Sequence, residues 1–341
     1  MDKDAALEQD AGDKTFATAK ARCPLFPMCG GCQYQHMAYG DQLALKAQRM
    51  EELFSTLDTH LPPISPPIPS PRIYFYRSKL TPHYRRIRGA GDEPIGFLSP
   101  DGSTLVDIPF CPIALEEING ALPEIRARIR SKTTKRGGTA LLRSGDGTVT
   151  DSPREMIRET VSGKTFHFIA GEFFQNNSSI LPDLIGCVRS MAAADGIDHL
   201  VDAYCGVGLF AISLAEHFKE IAAVEICRES VRLAKLNGSV NGVRSATFFA
   251  GAAESLFASV QFPPERTAVL LDPPRSGCSR SFCDQLLKFG ARRIVYVSCG
   301  PESQVRDLCS ILGPYKILQI QPVDMFPQTR HVENIVLLER T

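Results

Sequence analysis

The sequence predicts an α/β protein in which a doubly wound, mostly parallel sheet follows a smaller β-rich region. After residue 172, short apolar runs alternate with amphipathic helical segments, which is the pattern of parallel strands joined by crossover helices. Before residue 172, short β-like runs such as 73–76 and 165–169 are separated by glycine-containing turns, as in residues 143–148. That pattern is typical of small antiparallel sheets.

Three regions follow from these patterns. Residues 1–22 are polar and mixed in charge, and we expect them to form a disordered tail. Residues 23–171 are expected to form one β-rich domain, which includes a helix at about 39–57 and a stiff linker with six prolines at 61–71. Residues 172–341 are expected to form the α/β domain.

Within the α/β domain, the pattern predicts where each strand ends. Helices are predicted at 181–194, 209–218 and 229–237. Strands are predicted to end near four polar residues: Asp202, Glu225, Asp272 and Ser298. Because a doubly wound sheet binds its ligand at the carboxyl ends of its strands, functional side chains are expected there.

Composition narrows the functional classes. The 341 residues contain 38 basic and 38 acidic side chains and are 43% hydrophobic. No apolar run is long enough to cross a membrane and no apolar signal core is present, so we expect a cytoplasmic monomer without a membrane partner. The 11 cysteines are an odd number in a long chain, which favours reduced thiols, metal ligands or catalysis over a disulfide framework.

Two basic stretches interrupt this balance of charge. Residues 71–90 contain six basic side chains, no acidic one and several interleaved aromatic rings, and a second basic block runs from Arg126 to Arg143. Local basic faces on a neutral protein suit a partner with phosphates, such as RNA. Ordinary solvated charge explains either block equally well.

A glycine-rich turn follows the first predicted strand of the α/β domain. Gly206 and Gly208 let the backbone approach a ligand at a helix N-terminus. Glu225 ends the next strand, where a carboxylate can accept hydrogen bonds from ribose hydroxyls. The turn fits both a nicotinamide dinucleotide and S-adenosylmethionine, and a purely structural turn is a third interpretation.

Three later motifs carry candidate catalytic groups. Asp272 begins Asp-Pro-Pro-Arg, Cys299 lies in Ser-Cys-Gly-Pro just after a predicted strand, and Glu333 ends Asp-Met-Phe-Pro-Gln-Thr-Arg-His-Val-Glu. Uracil C5 is too weak a nucleophile to take a methyl group directly. A thiolate that adds at C6 activates C5, and a base must then remove the C5 proton. Cys299 and Glu333 suit these two roles, although a cysteine after a strand is more often a core residue.

Together these motifs resemble the RNA uracil-C5 methyltransferase family over residues 23–341. The resemblance implies a Rossmann-like class I methyltransferase domain, with Cys299 as nucleophile and Glu333 as proton-abstracting base. It also implies a set of residues that line the S-adenosylmethionine site: Gln175, Tyr204, Gly206, Leu209, Glu225 and Asp272. Leu209 stands where many relatives carry a polar residue, so this contact departs from the family pattern.

Four cysteines form a candidate metal site: Cys23, Cys29, Cys32 and Cys111. Their spacing alone fits tetrahedral zinc or a [4Fe-4S] cluster. The resemblance implies the cluster, because members acting on 23S ribosomal RNA carry this spacing, so we expect 23S rRNA as the substrate. The alternatives are a tRNA uracil-C5 methyltransferase and a non-catalytic iron–sulfur RNA-binding protein.

Overall fold

The computed structural model describes residues 18–87, 92–134, 136–257 and 260–341. The first 17 residues of the expected tail, and Arg88 and Lys135 of the basic stretches, lie outside them. At the end of that tail, Thr18 forms an antiparallel bridge with Met37, and the Ala19 N–H donates to the His36 carbonyl. The expected tail is therefore ordered at its last residues.

The amino-terminal half contains small antiparallel sheets and two long helices. In chain order its elements are α1 (Tyr39–Phe54), β1 (Lys79–Leu80), β2 (His83–Tyr84), β3 (Ile95–Leu98), β4 (Leu105–Asp107), α2 (Glu116–Arg130), β5 (Gly138–Thr139), β6 (Leu142–Gly145), β7 (Thr148–Thr150), β8 (Met156–Val161) and β9 (Lys164–Ile169). The strands pair as β4-β3-β2-β5, β1-β6-β7 and β8-β9. The β6–β7 turn contains Asp146 and Gly147, both with positive φ, as an Asp-Gly hairpin turn requires.

The carboxyl-terminal half is the predicted doubly wound sheet. Its elements are α3 (Leu181–Ala192), β10 (His199–Asp202), α4 (Leu209–Ser213), β11 (Glu220–Glu225), α5 (Arg228–Val240), β12 (Ala246–Ala250), α6 (Ala253–Leu256), β13 (Thr267–Leu271), α7 (Arg280–Phe289), β14 (Arg293–Ser298), α8 (Pro301–Ile311), β15 (Tyr315–Val323) and β16 (Glu333–Arg340). The seven strands lie in the order β12-β11-β10-β13-β14-β16-β15. Only β16 runs antiparallel to its two neighbours.

Alternate residues of the central strands enter two separate hydrophobic cores. Leu200 and Leu270 pack on the side of α3, α4 and α5, whereas Val201 and Val269 pack on the side of α7 and α8. This alternation follows from the two-residue period of a strand. Because both faces are covered, the strands are almost wholly apolar and their polar residues stand at their ends.

Helix α1 and the proline-rich stretch at residues 61–71 pack on the α/β sheet. The sequence analysis had assigned both to the amino-terminal domain. Met50 and Phe54 of α1 belong to the core that contains α7 and α8. Ile64 and Ile68 form parallel bridges with Ile320 and Val323 of β15. The prolines therefore run along the open edge of β15, where they cover an edge strand, instead of spanning two domains.

Residues on the two sides of the predicted domain boundary near residue 171 pack together in one core. Phe166 and Phe168 of β9 lie in the same core as α3 and α5. The side-chain amide of Asn237, in α5, donates to the His167 carbonyl at 3.0 Å. The β8–β9 hairpin thus covers one face of the α/β domain.

The amino-terminal half also contains a helix that the sequence analysis did not predict, α2, with 15 residues. The prediction of a β-like run at residues 73–76 was wrong, because Phe75 has φ 51° and turns the chain. The helix α2 buries Ile118 and Leu122 against Leu80 and Leu142 in a third, small core.

Much of the second basic block stabilises the fold. Arg126 is buried and pairs with Asp107 at 2.6 Å. Arg143 is fully buried, and Arg128 pairs with Asp151. These three arginines are therefore engaged within the fold, and they do not form an open basic face.

A buried ion pair joins α1 to the loop between β15 and β16. The Lys46 ammonium lies 2.6 Å from the Asp324 carboxylate, and the two side chains are 1% and 0% exposed. Lys46 also donates to the Phe326 carbonyl at 3.2 Å. Burial lowers the pKa of Lys46, and the adjacent Asp324 opposes that shift.

Replacing Lys46 with Ala is expected to lower the free energy of unfolding by about 3–5 kcal/mol, because it leaves a buried carboxylate without its partner. Urea denaturation followed by circular dichroism measures this change. Arg49→Ala, one turn along α1, removes the exposed Arg49–Glu302 pair and should cost less than about 1 kcal/mol. Equal losses in the two variants would contradict a special role for the buried pair.

Candidate active site

The strand ends are where the sequence places them. β10 ends at Asp202, β11 at Glu225 and β14 at Ser298, and Asp272 follows the last residue of β13. These parallel strands are neighbours in the sheet, so their ends meet along one edge. Polar side chains that are far apart in sequence are thereby collected at this edge.

The glycine turn after β10 leaves open space for a ligand. Gly206 and Gly208 have φ of 53° and 93°, a conformation that other residues rarely adopt. No atom lies within 4 Å of a Cβ built on Gly206, whereas one built on Gly208 would lie 2.8 Å from Ile212 Cδ1. Gly206 thus borders an opening, and Gly208 lets the turn pack on α4.

Glu225 is held beside this turn by two backbone donors. The Gly206 N–H donates to its Oε2 at 3.2 Å, and the Cys227 N–H donates to its Oε1 at 2.8 Å. The carboxylate is therefore oriented before any ligand binds. Its position at the glycine turn fits a group that accepts hydrogen bonds from ribose hydroxyls.

Two further carboxyl groups at this edge have raised pKa values. Burial raises the pKa of Asp202 to about 7, and the neighbouring Asp272 and Glu225 add to the shift. Burial also raises the pKa of Asp272 to about 7. Closely spaced carboxylates without a cation favour partial protonation, so this edge suits a positively charged ligand.

Cys299 and Glu333 are brought together by the register of two antiparallel strands. Ser298, the last residue of β14, pairs with Asn334 of β16. The next residues on the two strands are Cys299 and Glu333, which therefore face each other just beyond the last paired residues. Burial raises the pKa of the Cys299 thiol to about 11, and the nearby carboxylates of Glu333 and Asp272 add to the rise.

Arg275 supplies the positive charge of this group, and the sequence analysis assigned it no role. Its side chain hydrogen-bonds with Cys299 and lowers the pKa of the thiol against the effects of burial and the carboxylates. It also opposes the effect of burial, which raises the pKa of Glu333 well above its usual range. The Ser303 hydroxyl donates to the Arg275 carbonyl at 2.8 Å, which fixes the turn after Pro274. In the sequence Arg275 is the last residue of the Asp-Pro-Pro-Arg motif, and that place in the motif was its only signal.

The buried Arg143 positions the segment that carries Gln175. Its guanidinium donates to the Asn176 side chain at 2.7 Å and to the Phe174 and Gln175 carbonyls at 3.2 Å each. Burial lowers its pKa to about 10. The sequence analysis counted Arg143 in the second basic block. Its hydrogen bonds instead hold the segment that carries Gln175.

Tyr204 and Leu209, two other residues predicted to contact the cofactor, differ in their burial. Tyr204, two residues after β10, is half-buried and packs edge-on against Phe282 with ring centroids 5.5 Å apart. Leu209 is 7% exposed and belongs to the hydrophobic core. A contact of Leu209 with a ligand is therefore limited to its backbone at the start of α4.

The four predicted metal-ligating cysteines line one cavity of about 250 Å³: Cys23, Cys29, Cys32 and Cys111. Hydrogen bonds fix its walls, since the Cys23 N–H donates to Gln35 at 2.9 Å and the Cys111 N–H to Asn119 at 2.8 Å. Burial raises the pKa of Cys32 to about 12. The described residues include no group of three or more His, Cys, Asp or Glu side chains close enough to hold one metal ion.

Fold and site together define a class I S-adenosylmethionine-dependent methyltransferase fold. The crystal structure of Pyrococcus abyssi tRNA (uracil-54, C5)-methyltransferase in complex with S-adenosyl-L-homocysteine superposes with a TM-score of 0.72 at 24% identity. The match covers 92% of this chain and 86% of that one. None of the described helices is long and apolar enough to cross a membrane.

The chain belongs to the tRNA (uracil-5-)-methyltransferase family, whose sequence model matches residues 148–341. An uncharacterized RNA methyltransferase of Listeria monocytogenes is 30% identical, over 94% of this chain and 83% of its own length. The tRNA (uracil(54)-C(5))-methyltransferases of Schizosaccharomyces pombe and Saccharomyces cerevisiae are 40% and 34% identical. The matches span 94% and 92% of this chain but 65% and 62% of the yeast proteins.

Alkylation of Cys299 by iodoacetamide is expected to be slow at neutral pH and to accelerate with pH. A thiol whose pKa is raised to about 11 is mostly protonated below that value, and only the thiolate reacts, so the rate should rise about tenfold per pH unit. Mass spectrometry of the peptide that contains Cys299 measures it. Arg275→Gln should slow the reaction further at each pH, and a rate that is flat between pH 7 and 9 would contradict the shift.

Proposed function

We propose that this protein methylates C5 of a uracil in RNA with S-adenosylmethionine as methyl donor. The observation that carries the proposal is the placement of Cys299 opposite Glu333, with Arg275 hydrogen-bonded to the thiol. A nucleophile, a base and a cation are the groups that the reaction needs at the substrate pyrimidine. Membership in the tRNA (uracil-5-)-methyltransferase family supports the same reaction and favours S-adenosylmethionine over a nicotinamide cofactor.

The residues at the glycine turn fit S-adenosylmethionine. Gly206 borders open space, and Glu225 is oriented by two backbone N–H groups to accept from ribose hydroxyls. Asp202 and Asp272, whose pKa values are raised to about 7, would be stabilised as carboxylates by a nearby cation. When bound, S-adenosylmethionine supplies an electrophilic methyl group and a positive sulfonium.

In the proposed mechanism Cys299 forms the covalent bond to the substrate. The Cys299 thiolate attacks uracil C6, and the electrons of the C5–C6 double bond move so that C5 becomes nucleophilic. C5 could then take the methyl group of bound S-adenosylmethionine, and the electron pair of the broken C–S bond would stay on the departing thioether sulfur. Arg275 stabilises the thiolate through its hydrogen bond, which offsets part of the effect of burial and of the two carboxylates.

Glu333 then completes the reaction. Its carboxylate removes the proton from C5, the C5–C6 double bond re-forms, and the C6–S bond breaks with return of the electron pair to Cys299. Burial raises the pKa of Glu333 well above its usual range, and the positive charge of Arg275 opposes that rise. Arg275 therefore favours the carboxylate form that can remove the proton.

We propose tRNA as the substrate class, in place of the 23S ribosomal RNA expected from the cysteine spacing. The two yeast relatives and the Pyrococcus abyssi protein are named for uracil 54 of tRNA. The matches to the yeast relatives cover 94% and 92% of this chain.

We also propose that the four-cysteine cavity holds a [4Fe-4S] cluster with a structural role. The observation behind this proposal is that Cys23, Cys29, Cys32 and Cys111 line one cavity. Burial raises the pKa values of Cys29, Cys32 and Cys111, so metal binding would release protons from these thiols. The cluster would tie residues 23–32 to Cys111.

Incubation with S-adenosylmethionine and tRNA that contains 5-fluorouracil is expected to trap a covalent complex, since the fluorine that remains at C5 after methylation cannot be removed as a proton is. Cys299→Ala should abolish the complex while S-adenosylmethionine still binds, as measured by denaturing gel electrophoresis and calorimetry. Glu333→Gln should retain the complex with unmodified tRNA and release product slowly.

Two comparisons control this experiment. Cys309→Ala changes an exposed cysteine and should leave complex formation unchanged. Fluorouracil-containing 23S rRNA fragments should form no complex. A complex with the ribosomal fragments and none with tRNA would reverse the substrate assignment, and a complex formed by Cys299→Ala would remove Cys299 from its role.

Protein purified without oxygen is expected to be brown and to contain about four iron ions per chain, as one [4Fe-4S] cluster requires. Iron analysis and the visible absorption spectrum measure this. Cys111→Ser should lose most of the iron. Cys187→Ser, which changes a half-buried cysteine outside the cavity, should keep it, and a colourless zinc protein would refute the cluster.

A further inference from the structure

Three aromatic rings and one arginine form a group beside the cysteine cavity. The Arg22 guanidinium lies 4.6 Å from the centroid of the Phe75 ring and 5.2 Å from that of Tyr74. The Phe75 ring meets Phe110 edge-on, with centroids 6.2 Å apart. We call these four residues the aromatic platform. They come from three distant parts of the sequence, and Arg22 and Phe110 directly precede the cysteines Cys23 and Cys111.

The platform is exposed although it is apolar. Phe110 is 45% exposed, and the Phe75 and Tyr74 rings are half-buried. A phenylalanine has no polar group that water could satisfy, so an exposed ring beside another ring is a feature of binding surfaces.

The backbone holds the platform in place at a cost. Phe75 adopts φ 51°, which is unfavourable for a residue with a large side chain. Hydrogen bonds fix this conformation: the Phe75 N–H donates to the Pro112 carbonyl at 2.9 Å, and the next residue, Tyr76, donates to Ile113 at 3.0 Å. The strained turn joins Phe75 to the segment that carries Phe110.

The charge near the platform is positive. Arg22 is exposed and takes part in none of the ion pairs found in residues 18–87, 92–134, 136–257 and 260–341. Arg72, also exposed, lies two residues before Tyr74. Flat rings next to unpaired guanidinium groups are the combination that binds single-stranded nucleic acid, since bases stack on the rings and arginines meet the phosphates.

We propose that an unpaired base of the substrate RNA, close to the target uracil, stacks on Phe110 against Phe75 and Arg22. This inference rests on the proposed function. The platform borders the cysteine cavity, which Phe110, Thr329 and His331 all line, and Glu333 follows His331 by two residues. The neighbouring base would hold the RNA strand while the target uracil enters the pocket.

The test compares Phe110→Leu with Phe110→Trp, in the full chain purified with its metal and with a tRNA transcript as probe. Leucine keeps the apolar volume but has no flat ring, so the dissociation constant for the transcript should rise by about 5- to 150-fold, the value of one stacked base. The KM for the transcript should rise in parallel. Tryptophan should restore both constants, and kcat at saturating transcript should change little because Phe110 does not touch the reacting atoms.

Arg22→Gln should weaken binding in the same direction and reduce its dependence on salt. Met156→Ala, which changes an apolar residue of similar exposure in β8, is the matched control and should bind like the wild type.

The outcomes distinguish the stacking proposal from the proposed function. If Phe110→Leu and the wild type have equal dissociation constants, the stacking proposal is overturned and the ring only covers the cavity. This holds whether or not Phe110→Leu loses iron faster. If the wild type methylates no RNA, the proposed function fails first. The dissociation constants, which need no turnover, still decide the stacking.

Discussion

The ammonium of Lys46 and the carboxylate of Asp324 lie 2.6 Å apart in the interior, and this contact supports the loop that leads to the proposed base, Glu333. The loop between β15 and β16 begins at Asp324 and leads directly to Glu333. One residue of this loop, Gln328, has φ 68°, so the loop needs external support. Lys46 provides it at the start, through Asp324 and the Phe326 carbonyl.

Helix α1 and the cysteine-bearing segment support the rest of the same loop. Gln42 of α1 accepts from the Gln328 N–H at 3.0 Å and donates to the Gln328 side chain at 3.1 Å. The N–H groups of Gln33 and Tyr34 both donate to the Gln328 carbonyl. Residues before position 50 thus fix a loop that begins almost 280 residues later, which explains why α1 packs on the α/β sheet.

The sequence predicted the α/β half well because its signals are local. Strand ends at Asp202, Glu225 and Ser298 followed from short apolar runs between helical patterns, and these patterns reflect strands that are buried on both faces. The predicted nucleophile and base also lie together, since β14 and β16 are neighbours and their register places Cys299 opposite Glu333.

The amino-terminal half was harder to predict because tertiary contacts decide it. The run at residues 73–76 has the composition of a strand, but hydrogen bonds to Pro112 and Ile113 fix Phe75 in a turn. The helix α2 contains Pro123, and a proline in the interior of a segment argues against a helix. Arg143 looked like part of a basic surface, although its partners are the carbonyls of a distant segment. No local signal identifies such contacts.

The cysteine cavity and the active site are mechanically connected, which gives a structural cluster a consequence for catalysis. Cys32 directly precedes Gln33, whose backbone holds Gln328, while Thr329 and His331 form part of the cavity wall. A cluster bound by Cys23, Cys29, Cys32 and Cys111 would therefore fix one side of the loop, as Lys46 fixes its start. Its loss would loosen Glu333 without any change at Cys299. The proton-removal step should accordingly be more sensitive to the cysteine site than the formation of the covalent bond.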